Sequence, residues 1–156
     1  MLYIKFYLVI LQGCKIKMDD SGNILVKRIA KSNVYVKNTT EENSIANDIL
    51  KVPSGALEQD KPCKLFDMKK FEQNISREMK RSYPDRRRLE YQCISAIAFV
   101  RNDANILECP CWIMLINVVA MDMLKSKMPP GMNLEYCIFL SYTVFHNFIR
   151  IVYDKH

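Results

Sequence analysis

The sequence predicts a mainly β domain that also carries helices. Three observations support this fold class: early segments alternate apolar and polar residues, two later segments are almost continuously apolar, and two others have apolar residues at helical spacing. The chain has 156 residues, of which 49% are hydrophobic and 26% are charged. These values are typical of a globular chain with a single core, and the length is too small for two independent domains.

The first predicted elements are a β-hairpin and a short strand. Residues 14–18 alternate apolar residues with lysines, and residues 24–29 continue a β-branched pattern after the turn-forming residues 19–23. Aspartate, serine, glycine and asparagine favour tight turns, so we expect the two segments to pair. Residues 34–36 are predicted to form a further strand, and the polar stretch 39–48 is expected to be a loop or a short helix.

The centre of the chain is predicted to contain an amphipathic helix. Residues 53–55 interrupt the pattern, and residues 57–62 form a charged, irregular insertion. Asp67 then supplies a side-chain acceptor suited to an N-cap. An apolar stripe follows at helical spacing, formed by Met68, Phe71, Ile75 and Met79. The helix is expected from Met68 to about Arg81, and Pro84 ends it because proline disfavours helical backbone in the preceding residue.

Two apolar segments are predicted to form a buried β-hairpin. Residues 93–100 and 112–119 are both apolar enough for strands that are covered on both faces. The linker 101–108 is short, which permits antiparallel pairing. Residues 120–128 then form a helix with Met121, Leu124 and Met128 on one face. This methionine-rich face is interpreted as core, and an adaptable protein-binding surface is the alternative.

The cysteines favour an intracellular protein. Most of them lie inside apolar runs and lack the loop-rich spacing of secreted disulfide domains: Cys14, Cys63, Cys93, Cys109, Cys111 and Cys137. We therefore interpret them as reduced core thiols, with disulfide pairing as the alternative.

Both ends of the chain are apolar and depart from the domain pattern. Residues 1–11 resemble the hydrophobic region of a signal peptide but lack a small-residue cleavage site. Residues 136–153 are interrupted by polar side chains and fall short of the roughly 20 apolar residues that a spanning helix needs. We expect neither secretion nor a membrane span, and a secreted or anchored protein is the alternative.

A cluster of basic residues after the central helix is the candidate partner-binding site. It consists of Lys80, Arg81, Arg86, Arg87 and Arg88. Guanidinium groups are planar, bidentate donors that suit phosphate or carboxylate, so the cluster suits an acidic or phosphorylated partner, nucleic acid or a nuclear-import receptor. The alternative is a solvated basic turn. Direct DNA binding is not expected, because no recognition helix accompanies the cluster.

The sequence predicts no catalytic or metal site. Trp112 follows Cys109 and Cys111, but a C-x-C spacing without further ligands does not form a tetrahedral zinc site, so we interpret all three as packing residues. The two histidines, His146 and His156, lie in the apolar tail. The four glycines form no familiar phosphate-binding loop. We expect a non-enzymatic chain without a cofactor or a small-molecule substrate.

Five motifs, taken in order, resemble the C-terminal Mad-homology domain, or dwarfin-type domain, of the Smad signalling proteins. Residues 13–16 with 21–26 and 33–38 are similar to a glycine-led hairpin and the strand after it. Residues 51–55 with 64–66 resemble a lysine-isoleucine-proline-proline-glycine stretch and the leucine-lysine-isoleucine-phenylalanine run that follows it. The other three are residues 93–101, the Cys-Pro-Cys-Trp of residues 109–112, which is close to that of inhibitory Smads, and the final helix at residues 121–128.

The resemblance implies a Smad-type β-sandwich, capped at one end by a helical bundle and at the other by loops and a helix. The family's first strands, ahead of the glycine-led hairpin, have no counterpart, and residues 102–105 replace a glycine-tryptophan-glycine loop that contacts receptors and phosphoserine tails. The C-terminal phosphorylation motif is also missing. We therefore expect a divergent, partial domain over residues 13–131, incomplete at its N-terminus, between non-matching segments 1–12 and 132–156.

The resemblance also implies a function. It predicts a protein-protein interaction domain that takes part in signal-dependent regulation of transcription through assembly with other proteins. The expected partners are Smads or transcription cofactors, in a homo- or hetero-trimer, and the expected location is the nucleus, the cytoplasm or both. The alternative is a cytoplasmic or cortical scaffold that uses the fold without receptor-driven phosphorylation.

Overall fold

The computed structural model describes residues 13–37 and 45–128 and the backbone of residues 148–151. The strands are β1 (Cys14–Met18), β2 (Ile24–Arg28), β3 (Val34–Lys37), β4 (Pro62–Phe66), β5 (Ile94–Phe99), β6 (Trp112–Asn117) and β7 (Phe148–Ile151). The helices are α1 (Asn47–Leu50), α2 (Met68–Met79), α3 (Arg86–Gln92) and α4 (Val118–Lys127), with 3-10 turns at Pro53–Gly55 and Ile106–Glu108. The predictions for residues 1–12, for most of 39–48 and for most of 132–156 lie outside the described residues.

The strands form two sheets that pack together as the expected β-sandwich. One sheet has the order β1-β2-β4, and the other has the order β3-β5-β6-β7. All pairs are antiparallel except β6 and β7, which are parallel. Buried side chains from both sheets, such as Val26, Leu65, Ile97 and Leu115, belong to one hydrophobic core. The mainly β fold with helices is therefore confirmed, and so are both predicted hairpins, β1–β2 and β5–β6.

The turn between β1 and β2 also holds the starts of two helices. The Asn23 side-chain oxygen accepts a hydrogen bond from the backbone N–H of Met68 at 2.8 Å, where α2 begins. The Gly22 carbonyl accepts one from the Asn117 side-chain amide at 3.1 Å, and the Asn117 oxygen accepts from the backbone N–H of Ala120 at 3.0 Å. Because the first N–H groups of a helix have no partner inside the helix, these contacts fix where α2 and α4 start.

Strand β4 is an element that the sequence prediction missed. It begins at Pro62, the last residue of the predicted irregular insertion, and it pairs with β2. Proline fits the first position of a strand because it cannot donate to the ladder. The preceding segment is not a loose insertion either: Leu57 is buried, and its carbonyl accepts a hydrogen bond from the Arg28 guanidinium at 3.0 Å.

The predicted C-terminal end of β6 was wrong by two residues. Residues 112–119 were expected to be extended, but β6 ends at Asn117 and α4 begins at Val118. The reason is the Asn117 side chain, which caps the helix, so the apolar valines that follow belong to the first helical turn. Met121, Leu124 and Met128 are buried, as the interpretation of this face as core requires.

Three helices, α2, α3 and α4, contact one another and form the expected helical bundle at one end of the sandwich. Asp67 caps α2 as predicted, since its carboxylate accepts a hydrogen bond from the backbone N–H of Lys70 at 3.1 Å. The helix α3 was not predicted, because no periodic pattern marks residues 86–92 and the three arginines were interpreted only as part of a basic cluster. Asp85 is its N-cap, and the Asp85 carboxylate accepts from the backbone N–H of Arg88 at 3.1 Å.

The apolar stripe of α2 is one residue shorter than predicted. Phe71 and Ile75 are fully buried, but Met79 is 53% exposed and Glu78 is buried in its place. The helix turns by about 100° per residue, so Glu78 lies about 20° from the direction of Phe71 and Met79 about 80° from it. Helical geometry therefore brings a carboxylate into the bundle where hydrophobic spacing predicted a methionine.

No helix among the described residues is long and apolar enough to cross a membrane.

Candidate partner-binding surface

The five basic residues of the predicted cluster lie on the connection from α2 to α3. Lys80 and Arg81 follow the last turn of α2, and Arg86, Arg87 and Arg88 form the first turn of α3. The structure therefore places the cluster on the helical bundle. It also shows that its members have different surroundings.

Arg81 organises the connection between the two helices. Its guanidinium donates to Glu78 Oε1 at 2.8 Å, and the same oxygen accepts the backbone N–H of Asp85 at 2.8 Å. Glu78 is only 5% exposed, so its charge needs these donors. Arg81 therefore neutralises the buried Glu78 carboxylate, and that carboxylate holds Asp85 at the start of α3.

Arg86 is a structural residue of the bundle. Its side chain is 11% exposed, and its Nε donates to Glu90 Oε1 at 2.8 Å. Its Nη1 also donates to the backbone carbonyl of Met128, just after α4, at 3.3 Å. Because Arg86 links α3 to the end of α4 and is largely covered, it does not offer its guanidinium to a partner.

Lys80, Arg81, Arg87 and Arg88 are exposed, but the Arg81 guanidinium is paired with the buried Glu78 carboxylate. The prediction grouped all five residues together, because a run of charged residues carries no information about which side chains are buried. Partner binding by the cluster stays a prediction, and Lys80, Arg87 and Arg88 are the exposed members outside these arginine–glutamate salt bridges.

A groove lies beside this cluster, between α2 and the last turn of α4. Its volume is about 530 Å³. It is lined by Lys69, Glu72, Gln73, Ser76, Arg77, Lys80 and Lys127. These residues carry four positive charges and one negative charge, and only Lys80 belongs to the predicted cluster. We call this feature the basic groove.

The basic groove was not predicted, although part of it is visible in the sequence. The positions on α2 recur at spacings of three or four residues, which places them on one side of the helix. The polar face of this helix, opposite its apolar stripe, therefore carries a signal that the linear charge run does not include. Lys127 could not have been assigned in this way, because only the packing of α4 against α2 brings it to the groove.

The loop after β5 is held by contacts to β3 and to the first 3-10 turn. The resemblance implies a receptor-contacting loop at this place. Here the Lys37 ammonium donates to the Asn102 side-chain oxygen and to the Asp103 carbonyl, the latter at 2.6 Å. The Asn102 amide donates to the Ser54 carbonyl at 3.3 Å. The Asn102 side chain and the Asp103 backbone carbonyl are therefore bound by other parts of the domain.

Val100, the residue that starts this loop, has a strained backbone. Its φ is +71°, a value that β-branched residues rarely adopt. Replacing Val100 by glycine should therefore raise the free energy of unfolding by about 1 kcal/mol, measured by urea denaturation. The matched control is Val119→Gly, at an exposed position in the first turn of α4, where glycine should lower stability by about 0.5 to 1 kcal/mol. Equal effects at the two positions would contradict the assignment of strain to Val100.

The described cysteines are free thiols with the properties of packing residues. Cys14, Cys63, Cys93 and Cys109 are buried, and Cys111 is half-buried. Burial raises the pKa of the Cys14 and Cys63 thiols to about 11 and also raises the pKa of Cys93 and Cys111. Because the thiolate is the nucleophile and the metal ligand, protonated thiols at neutral pH suit packing.

Trp112 also lies in a packed environment. It is 5% exposed and forms a small second core with Ala98 and Cys109, on the opposite face of the β5–β6 pair from the main core. Within the described ranges no group of three or more His, Cys, Asp or Glu side chains is placed to hold a metal ion.

Comparison with known protein families gives a match. The sequence profile of the MH2 domain family matches residues 5–118. This range includes both β-hairpins, β4, α2 and α3. No curated protein matches the chain.

Proposed function

We propose that this chain, which belongs to the MH2 domain family, regulates transcription in response to a signal by assembling with other proteins. MH2 is a family of protein-interaction domains, and the proposal takes Smads or transcription cofactors as the partners. Assembly into a homo- or hetero-trimer is part of the proposal. The single observation that carries it is the family match over residues 5–118.

The structure supports a binding role in two ways. The two sheets and the helical bundle share one core, which provides a rigid scaffold for surface residues. The exposed charges of the helical bundle, Lys80, Arg87 and Arg88 together with the basic groove, give it a positive surface that suits acidic partners. We propose these three residues as partner contacts.

Proximity labelling with the full chain in cells tests this function. We expect the labelled set to contain a Smad or a transcription cofactor, and we expect Arg87→Glu with Arg88→Glu to reduce that labelling. Lys15→Glu with Lys17→Glu is the matched control, because these exposed lysines lie on β1 and the charge change is the same. Labelling that recovers neither class of protein with the wild-type chain would contradict the proposed function.

A scaffold in the cytoplasm or at the cell cortex is the second candidate function. The observation that favours it is the loop after β5, where Lys37 and the Ser54 carbonyl bind the Asn102 side chain and the Asp103 backbone carbonyl. Localising the tagged full chain separates the two candidates. Steady exclusion from the nucleus, with and without pathway stimulation, would favour the scaffold over the transcriptional role.

A further inference from the structure

We propose that the basic groove binds an acidic segment of a partner protein in an extended conformation. This inference rests on the proposed function as an interaction domain, and it specifies the chemistry of what one surface of that domain recognises. The groove is distinct from the connection that carries Arg81, Arg86, Arg87 and Arg88.

The length of the groove fits a short peptide. Its residues along α2 and the C-cap of that helix run from Lys69 to Lys80. At about 1.5 Å per residue, this stretch is about 16 Å long. An extended chain covers about 3.3 Å per residue, so about five residues of a partner can lie along it. Lys127, at the end of α4, provides the second wall.

The groove carries positive charges that the described part of the protein leaves unpaired. Among the described residues, the side chains of Lys69, Arg77, Lys80 and Lys127 form neither an ion pair nor a hydrogen bond. By contrast, Arg81 and Arg86 are neutralised by glutamates. Four unpaired cations beside a single carboxylate, that of Glu72, attract a negatively charged ligand.

The polar residues between these cations favour a peptide over a nucleic acid. Glu72 adds a half-buried carboxylate, and Gln73 adds an amide oxygen. The Ser76 hydroxyl donates its hydrogen to the Glu72 carbonyl at 3.0 Å, so toward the groove it can only accept. These acceptors can take hydrogen bonds from donors on the ligand. A peptide backbone supplies N–H donors between its acidic side chains, whereas the phosphodiester backbone of DNA supplies acceptors alone.

The test is a binding titration with the purified full chain. The probe is a fluorescein-labelled peptide of alternating glutamate and alanine, and fluorescence anisotropy measures its affinity. We expect saturable binding that weakens as salt rises, and we expect Lys69→Glu with Arg77→Glu to weaken it about tenfold, since two attractions become repulsions. Lys69 lies in the first turn of α2 and Arg77 in its last turn, so the two changes have opposite effects on the helix dipole. Circular dichroism checks that the variant remains folded.

Two comparisons make the result decisive. Lys15→Glu with Lys17→Glu, which changes the net charge equally on β1, should leave peptide binding within about twofold of the wild-type value, because the effect of exposed charges falls off over the Debye length. A labelled single-stranded oligonucleotide should bind more weakly than the peptide. Absence of peptide binding, an equal loss in the control, or tighter binding of the oligonucleotide would each overturn the proposal.

The outcome separates this inference from the proposed function. If the peptide fails to bind while proximity labelling still recovers a Smad or a transcription cofactor, the basic groove is not the contact surface and the function stands. If the peptide binds as described while labelling recovers neither class of protein, peptide binding by the basic groove is supported and the proposed role in transcription is contradicted.

Discussion

Replacing Arg86 by methionine should lower the free energy of unfolding by about 3 to 5 kcal/mol, as measured by urea denaturation. The change leaves the Glu90 carboxylate, whose side chain is 11% exposed, without its partner at 2.8 Å. It also removes the hydrogen bond to the Met128 carbonyl that links α3 to α4. An uncompensated buried charge is among the most destabilising changes in a small domain.

Two further variants isolate the ion pair. Arg88→Met makes the same substitution at an exposed position two residues along α3, and its effect should stay within about 0.5 kcal/mol. Adding Glu90→Met to Arg86→Met should recover most of the lost stability, because no buried charge then remains. If Arg86→Met and Arg88→Met are equally mild, Arg86 is not the structural residue that its contacts indicate.

Replacing Asn117 by alanine should lower the free energy of unfolding by about 2 to 4 kcal/mol. Loss of the N-cap of α4 contributes about 1 kcal/mol, and the Gly22 carbonyl, left without its donor in the interior, contributes about 1 to 3 kcal/mol. The matched control is Asn105→Ala. Asn105 also caps a helical turn, but it is exposed, and its side chain makes no second hydrogen bond within the described residues, so its loss should cost less than about 1 kcal/mol. Urea denaturation of both variants measures the difference.

Asn117→Asp separates the two hydrogen bonds of this side chain. A carboxylate keeps the acceptor for the Ala120 N–H but cannot donate to the Gly22 carbonyl. Burial raises the pKa of such a carboxyl above its unfolded value, so protonation favours the folded state, and a protonated carboxyl can donate again. The stability of this variant relative to wild type should therefore rise as the pH falls from 7 to 5. A pH-independent difference would contradict the role of the Gly22 bond.

Periodicity predicted much of the fold, and it failed where a side chain outside the repeating pattern decides a boundary. Both hairpins and α2 follow from alternation and helical spacing, because those patterns record which face is buried. The end of β6 does not follow from them, since the Asn117 cap depends on the distant turn at Gly22. Strand β4 is a short segment beginning with proline, and α3 begins with three arginines, so neither shows a clear period.

The candidate site was predictable only as a region. The charge run correctly identified basic residues beside the central helix, but the covered state of Arg86 comes from Glu90 and from the Met128 carbonyl, and the latter is 42 residues away in the chain. The basic groove needs Lys127 from α4 beside Lys69 and Arg77 from α2. Linear spacing cannot show such a meeting of two helices.

The sequence by itself determined the family and the fold class of this protein. Motif order and hydrophobic pattern can be recognised in the sequence without coordinates, as the match over residues 5–118 shows. The tertiary structure alone decided which charges are available. Whether an arginine neutralises a buried glutamate, as Arg86 does, or lines an open groove, as Arg77 does, depends on what packs around it. The free energy of a charge is set by its solvent exposure and its partners in space, and neither is encoded in its neighbours along the chain.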